Sequence, residues 1–387
     1  MSAVSDVPED LYNPTALPTA PPDASHRRPA LAYDGRGREV FGLVIGNAFL
    51  GLVTLGLNRF WARTRYRRYL WNHVSFAGDR LEYMGRPDEL MVGLFATGAI
   101  FVPVFVALGL AIDLLSFSAP PFAPLYQAGA FVLIFILGQL AAFRARRFRL
   151  SRTTWRGLRF HQDGSAFGYM LRWLGWTVLA IATAGLTLPF RNKSLYRYRM
   201  RHTWVGDQQL TYDDDSGSPW RLMPRWFLCW LLLGPTLFMS YAWYRAAELR
   251  HIVARTRLGT VAPTVVISGW RVLKIYFWPV VLAIVLVIGV SVLANWLLIY
   301  FIGADTFGYG LADRSKIPPW VQPLLQAVLV LLVLGIVQQF LLHRELRAIG
   351  EALSLEGRLD AAVIRQSPVR PRRFGEGLAD ALDVGGL

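Results

Sequence analysis

Seven apolar segments, at residues 41–61, 90–112, 125–143, 167–190, 226–244, 275–302 and 320–342, constrain this chain more than any other feature. Each has roughly the 20 residues that a helix needs to cross a hydrocarbon core. Aromatic residues gather at their ends: Trp61, Tyr126, Trp173, Trp226, Trp243, Tyr276, Trp278, Trp296, Tyr300 and Trp320. Amphipathic rings favour headgroup depth, so this is the pattern of an aromatic belt. Composition agrees. The chain is 54% hydrophobic and 17% charged, against roughly 45–50% and about 25% in soluble domains. The fold class this predicts is an all-α polytopic membrane protein of about seven apolar helices.

The intervening segments sort by charge. The net charge of +15 is carried by arginine, with lysine only at Lys193, Lys274 and Lys316. Residues 62–73 hold Arg63, Arg65, Arg67 and Arg68 and no acid, and residues 190–204 hold Arg191, Lys193, Arg197, Arg199 and Arg201. Residues 144–159 and 245–257 and the C-terminal tail are also basic, whereas 116–124 is uncharged and 303–318 is balanced. The positive-inside rule places the basic segments and the C-terminus in the cytosol and the other two loops outside, in a multi-pass protein of the bacterial inner membrane. Interleaved arginine and tyrosine, as in Arg65-Tyr66-Arg67-Arg68-Tyr69, reads as interfacial helix on anionic lipid rather than as a nucleic-acid surface.

Strict alternation of seven crossings conflicts with a cytosolic 190–224. Breaks within three segments offer a way out: Thr54-Leu55-Gly56, Thr183-Ala184-Gly185 with Pro189, and Gly234-Pro235-Thr236. If those segments are re-entrant, every basic stretch lies on one side, and the broken backbone needs protein or a wet cavity to cover it.

An internal repeat is also legible. Arg63 to Gly78 and Arg191 to Gly206 each span fifteen residues, from the end of an apolar segment to a glycine before a short alternating run. That run, Asp79-Arg80-Leu81-Glu82-Tyr83 in the first copy, has the period of a strand. The expected organisation is a disordered proline-rich tail at 1–38, a repeat-containing membrane domain at 39–260, a membrane hairpin at 261–345 and a basic cytosolic tail at 346–387. Each repeat contributes an interfacial basic helix and a short β-hairpin on the cytosolic side.

Phe41-Gly42, Thr54-Leu55-Gly56, Phe60-Trp61-Ala62, Arg68-Tyr69-Leu70, Phe76-Ala77-Gly78 and Glu82-Tyr83-Met84-Gly85 resemble the YjgN-like family of bacterial inner-membrane proteins. So does Thr154-Trp155-Arg156-Gly157-Leu158-Arg159-Phe160. The resemblance covers most of 39–260, departs at Asn58-Arg59, and implies a membrane location without an activity.

Chemistry is sparse. The six histidines make no paired ligand spacing, no phosphate-binding loop or nucleophile elbow occurs, and no cofactor, metal or catalytic residue is expected. The single cysteine, Cys229, excludes an intrachain disulfide. Polar residues within apolar segments, Asn47, Thr54, Gln139 and Asn295 foremost, read as hydrogen-bonding between helices, or as lining of a permeation path. The function these features favour is a membrane scaffold or adaptor. Its surface of Arg63, Arg65, Arg67, Arg68, Arg191, Lys193, Arg197 and Arg199 would meet anionic lipid, a protein partner or a second copy. A small-solute transporter or channel is the alternative, and an enzyme acting on a lipid-linked phosphate the third reading.

Overall fold

The computed structural model describes residues 31–54, 56–118, 120–213, 219–259, 261–303, 321–356 and 364–367. The proline-rich tail at 1–30, the loop at 304–318 and most of the tail at 346–387 lie outside the described residues. A short strand, β1 (Leu31–Tyr33), precedes helices α1 (Gly37–Val53) and α2 (Arg59–Asn72) and the hairpin of β2 (Val74–Phe76) and β3 (Asp79–Tyr83). Helices α3 (Pro87–Ser118) and α4 (Ala123–Ser151) lead to β4 (Thr153–Trp155) and β5 (Leu158–Gln162). Then come α5 (Ala166–Ala182), α6 (Leu188–Arg201), β6 (Thr203–Val205) and β7 (Gln208–Tyr212). Helices α7 (Met223–Leu232) and α8 (Ser240–Val253) precede β8 (Thr256–Leu258) and β9 (Ala262–Val265). The order ends with α9 (Gly269–Gly303), α10 (Val321–Ala352) and β10 (Leu353–Glu356).

The local causes recur. Ala77 and Gly78 have φ of 50° and 92°, and Arg156 and Gly157 have 51° and 75°. Two successive positive-φ residues make the tight turn whose twist matches a β-hairpin. A threonine opens three of the hairpins and bonds back onto the helix before it. Thr153 Oγ1 donates to the Arg149 carbonyl at 2.9 Å, Thr203 Oγ1 to Arg199 at 2.7 Å, and Thr256 Oγ1 to Ile252 at 3.4 Å. Each adds a side-chain bond to a carbonyl in the last turn of the helix, where the regular ladder runs out.

The hairpins join into one antiparallel sheet in the order β1 to β8, and β9 pairs with β10 separately. The joints between hairpins align Tyr83 with Thr153, Gln162 with Thr203 and Tyr212 with Thr256. Helix α10 packs on α1 and β1, so the last helix pair meets the first. Residues 364–367 lie across the sheet. Ile364 packs with Trp155, Val205 and Leu258, and Asp207 N–H donates to the Arg365 carbonyl at 3.0 Å.

This overturns the expected all-α class with about seven apolar helices. The strands form a continuous sheet of eight rather than isolated hairpins. Among the described residues three helices are long and apolar enough to cross a membrane: Pro120–Ser151, Gly269–Trp296 and Leu325–Ala352. The physical reason lies in the breaks. The segments at 41–61, 167–190 and 226–244 are each two short helices.

The breaks share one geometry. After α5, Gly185 N–H reaches the Ala180 carbonyl at 2.6 Å and Ala184 N–H reaches Ile181 at 3.1 Å, with Ala184 at φ 49° and Gly185 at 87°. After α7, Phe238 N–H reaches Leu233 at 2.8 Å and Leu237 N–H reaches Gly234 at 3.1 Å, with Leu237 at φ 48°. These are paired 6→1 and 5→2 closures of a helix C-terminus. After α1, Gly56 N–H reaches Gly51 at 2.7 Å with φ 87°. A threonine stands two residues before each closing N–H, and its hydroxyl returns to its own helix: Thr54 to Leu50 at 2.7 Å, Thr183 to Leu179 at 2.8 Å and Thr236 to Leu232 at 2.6 Å.

The outward helix faces are apolar. Phe49, Phe131, Ile181, Leu228, Trp278 and Val292 are among the many large hydrophobic side chains left exposed. Apolar surface on this scale marks a membrane or partner contact, and with the three long helices it identifies a membrane-associated protein.

Candidate functional site

The basic residues singled out in the sequence lie on α2 and α6, and they do not share one environment. On α2, Arg65 and Arg68 are exposed, Arg63 is half-buried and Arg67 is buried. Arg67 turns inward, where its Nη1 donates to the Tyr83 hydroxyl at 3.3 Å and its guanidinium stacks 5.9 Å from the same ring. Arg68 donates to the Gly85 carbonyl at 3.0 Å and Arg65 to Asn47 Oδ1 at 3.4 Å. On α6, Arg191, Lys193, Arg197 and Arg199 are all half-buried. Helical phase explains the split: residues four apart share a face, and consecutive ones do not.

Three of the four polar residues singled out within the apolar segments hydrogen-bond to backbone of their own or the adjacent helix. Asn47 is buried, and its Nδ2 donates to the Ala62 carbonyl at 3.4 Å, so it ties α1 to α2. Thr54 closes its own helix end, and Asn295 bonds back to the Ser291 carbonyl at 2.8 Å on α9. Gln139 lies half-buried on α4. A separate open groove of about 500 Å³ runs along α5, lined by Gly168, Leu171, Arg172, Gly175, Trp176 and Leu179.

The polar centre of the protein lies elsewhere, on the sheet-proximal ends of the helices. Arg152, nearly buried, holds Glu89 of α3 through Nε and Nη2, both at 2.9 Å. Arg146 of α4 donates from Nη1 to Gln162 Oε1 and Thr203 Oγ1, each at 3.0 Å. Trp71 makes the corresponding bond one unit earlier, donating to Thr153 Oγ1 at 3.0 Å. Glu248 of α8 is fully buried against Arg245, Asn192 and Tyr244. His251, on the same helix, is held down to about 4 by burial and then by Arg255, Lys193, Arg221 and Arg225. Among the described residues no three potential metal ligands come together.

Sequence reasoning missed Arg146, Arg152 and Glu248 as interior groups, because each sits in a stretch that reads as solvated charge. A recurrent spacing, an arginine four residues before the threonine that opens a strand, marks Arg149 and Arg199 but none of these three. The arrangement supplies hydrogen-bond donors and positive charge toward the sheet side.

The profile of a family described as bacterial protein of unknown function, DUF898, matches residues 28–381. No curated protein matches the chain, and no solved structure does.

Proposed function

We propose, from the premise that this chain belongs to the DUF898 family of bacterial proteins, which is the YjgN-like family its motifs resemble, that it is a scaffold embedded in the inner membrane. Its arginine-rich sheet side meets anionic lipid or an acidic partner in the cytosol. The observation that carries this reading is the continuity of the sheet. Strands β1 to β8 are hydrogen-bonded neighbours, so each helix pair between them starts and ends at the same layer. A sheet cannot have strands on both faces of a bilayer, because unpaired strand backbone does not cross hydrocarbon. This supports a re-entrant path for the pairs α1–α2, α5–α6 and α7–α8, and full hairpins for α3–α4 and α9–α10. It also supports an internal repeat whose unit is a helix pair with its hairpin.

The charge distribution agrees with that orientation. Arg65 and Arg68 on α2 and Arg144 on the sheet-proximal half of α4 are exposed. Each such charge near an anionic leaflet contributes about 1 kcal/mol. The transport alternative draws less support, since Asn47, Thr54 and Asn295 spend their hydrogen bonds within or between adjacent helices.

The test uses the full chain in nanodiscs of zwitterionic lipid with and without phosphatidylglycerol. Thermal stability is expected to rise with the anionic lipid, and most of the rise to vanish when Arg65, Arg68 and Arg144 are all changed to Gln. An equal rise in the triple variant would remove the surface-charge reading.

A further inference from the structure

Arg199 of α6 and Arg149 of its own helix act on Arg146 of α4 to disfavour its charge, and all three are cations. Among the described residues neither Arg146 nor Arg199 forms a salt bridge with a carboxylate. Two guanidinium groups held close in a protein interior repel each other and are costly without a counter-charge. The hydrogen bonds around them leave donors over. Thr203 Oγ1 accepts from Arg146 and gives its own proton to the Arg199 carbonyl. Gln162, only 5% exposed, accepts from Arg146 through Oε1, while its Nε2 is buried without an acceptor. Arg199 Nε is likewise buried without an acceptor. A buried donor left without a partner loses its water bonds and gains nothing in return. The two donors and two cations belong to one bonded cluster, in which Arg146 of α4 holds Gln162 of β5 and Thr203 of β6, and Thr203 returns to α6 at Arg199. As whole residues Arg146 and Arg199 are half-buried rather than sealed in the core.

We infer that this cluster binds a phosphate-class oxyanion, with Arg146, Arg199 and Gln162 Nε2 as its donors. A tetrahedral oxyanion supplies the missing acceptors in several directions and the missing negative charge at once. Guanidinium groups suit it through paired N–H bonds in a fixed fork. The chemistry is the same for a free phosphate and for the phosphate of a lipid headgroup entering from the membrane side. The site is interior and does not rest on the exposed arginines of the surface reading, so the two can fail separately.

The experiment takes the full-length protein, delipidated in an uncharged maltoside detergent. Inorganic phosphate is titrated while thermal stability and heat of binding are followed. In parallel, native mass spectrometry counts phospholipid retained through purification. Phosphate binding in the first arm identifies a free oxyanion. A stoichiometric phospholipid in the second, with no response to phosphate, identifies a headgroup. In Arg199→Gln the affinity for whichever ligand binds is expected to fall at least about tenfold, the effect of losing a charge-assisted hydrogen bond. Because that variant also alters packing, Gln162→Glu provides a second check. It places a carboxylate beside Arg146, and is expected to raise the melting temperature of the ligand-free protein while abolishing binding. A wild-type protein that neither responds to phosphate nor retains a phospholipid overturns the proposal. So does binding left unchanged in both variants.

Discussion

Asn192 of α6 donates from Nδ2 to the Glu248 carboxylate of α8 at 2.9 Å, across 56 residues of chain. Glu248 has no exposed surface, and the Tyr244 hydroxyl donates to it at 3.1 Å while Arg245 pairs with its other oxygen. A carboxylate can be this deep only because three donors replace its water. It therefore fixes the packing of α8 on α6, between two of the broken helix pairs.

Replacing Glu248 by Leu should destabilise the protein by about 2–3 kcal/mol. That is below the roughly 3–5 kcal/mol of a fully buried pair, because Arg245 retains contact with water. Glu248→Gln keeps one acceptor and should cost about half as much. Thermal unfolding in detergent of the two variants beside the wild type measures both. A Gln variant worse than the Leu variant would show that the carboxylate is not held by its donors.

His251 predicts a pH dependence. Burial and the neighbouring cations hold it down to about 4 in the folded protein, against about 6.5 when unfolded. Between those values the unfolded chain binds the proton and the folded chain does not, so stability rises with pH across that window. The stabilising contribution is complete above about pH 6.5 and is lost as pH falls toward 4. At neutral pH, where His251 is uncharged in both states, the offset between the melting temperatures of wild type and His251→Gln is set by the packing change alone. The offset should shift in favour of the variant as the buffer is acidified. A constant offset from pH 7 to pH 4 would mean that His251 titrates normally.

How much of this was legible in the sequence depended on range. The strand at Asp79–Tyr83 was readable from its alternation, and the turn before it from Ala77-Gly78. Its pairing with β4, which sets Leu81 opposite Trp155, was not, because no local pattern specifies a partner more than seventy residues away. The breaks at Thr54 and Thr183 were visible because glycine follows two residues later. The third break was placed at Gly234-Pro235-Thr236, whereas the positive φ angles fall on Leu237 and Phe238, residue types that give no such warning. The inward arginines were hidden for a different reason. Arg67 and Arg68 are neighbours in sequence and of one type, yet only the first is buried, and that follows from helix phase against a sheet the sequence did not reveal.

The break after α5 is open to direct test. Gly185 adopts φ 87°, and its carbonyl accepts from Trp226 Nε1 at 3.1 Å, while the Ala184 carbonyl accepts from Trp230 Nε1 at 2.9 Å. The Trp230 indole thus satisfies a carbonyl that the broken helix leaves open, and Trp226 adds a bond to one that also accepts from the Leu188 N–H, which is the cover that such backbone requires. Gly185→Ala should cost about 1–2 kcal/mol through its backbone angle alone. Trp230→Phe should cost about 1–3 kcal/mol by leaving a carbonyl unpaired. Thermal unfolding in detergent measures each. If Gly185→Ala melts with the wild type, the turn does not need a left-handed residue there.

Sidedness is the sharpest prediction, because the sheet and the charge pattern must agree on it. If the strands form one layer, Gln209 of β7 shares a side with all the basic helix ends. Ser118, at the far end of α3, belongs to the opposite side. Cys229 is buried and its thiol lies 3.7 Å from the Ser240 hydroxyl, so Cys229→Ser gives a mild starting variant for labelling. On that background, Gln209→Cys is expected to resist a membrane-impermeant maleimide in intact spheroplasts and to react once the membrane is opened. Ser118→Cys is expected to react in both. The arginines near the sheet set this direction, since positive charge is retained in the cytosol. Labelling of Gln209→Cys from outside, with Ser118→Cys protected, would invert the orientation and leave the single-layer argument standing. Labelling of both from outside in intact spheroplasts would mean that α3 does not carry its far end across the membrane.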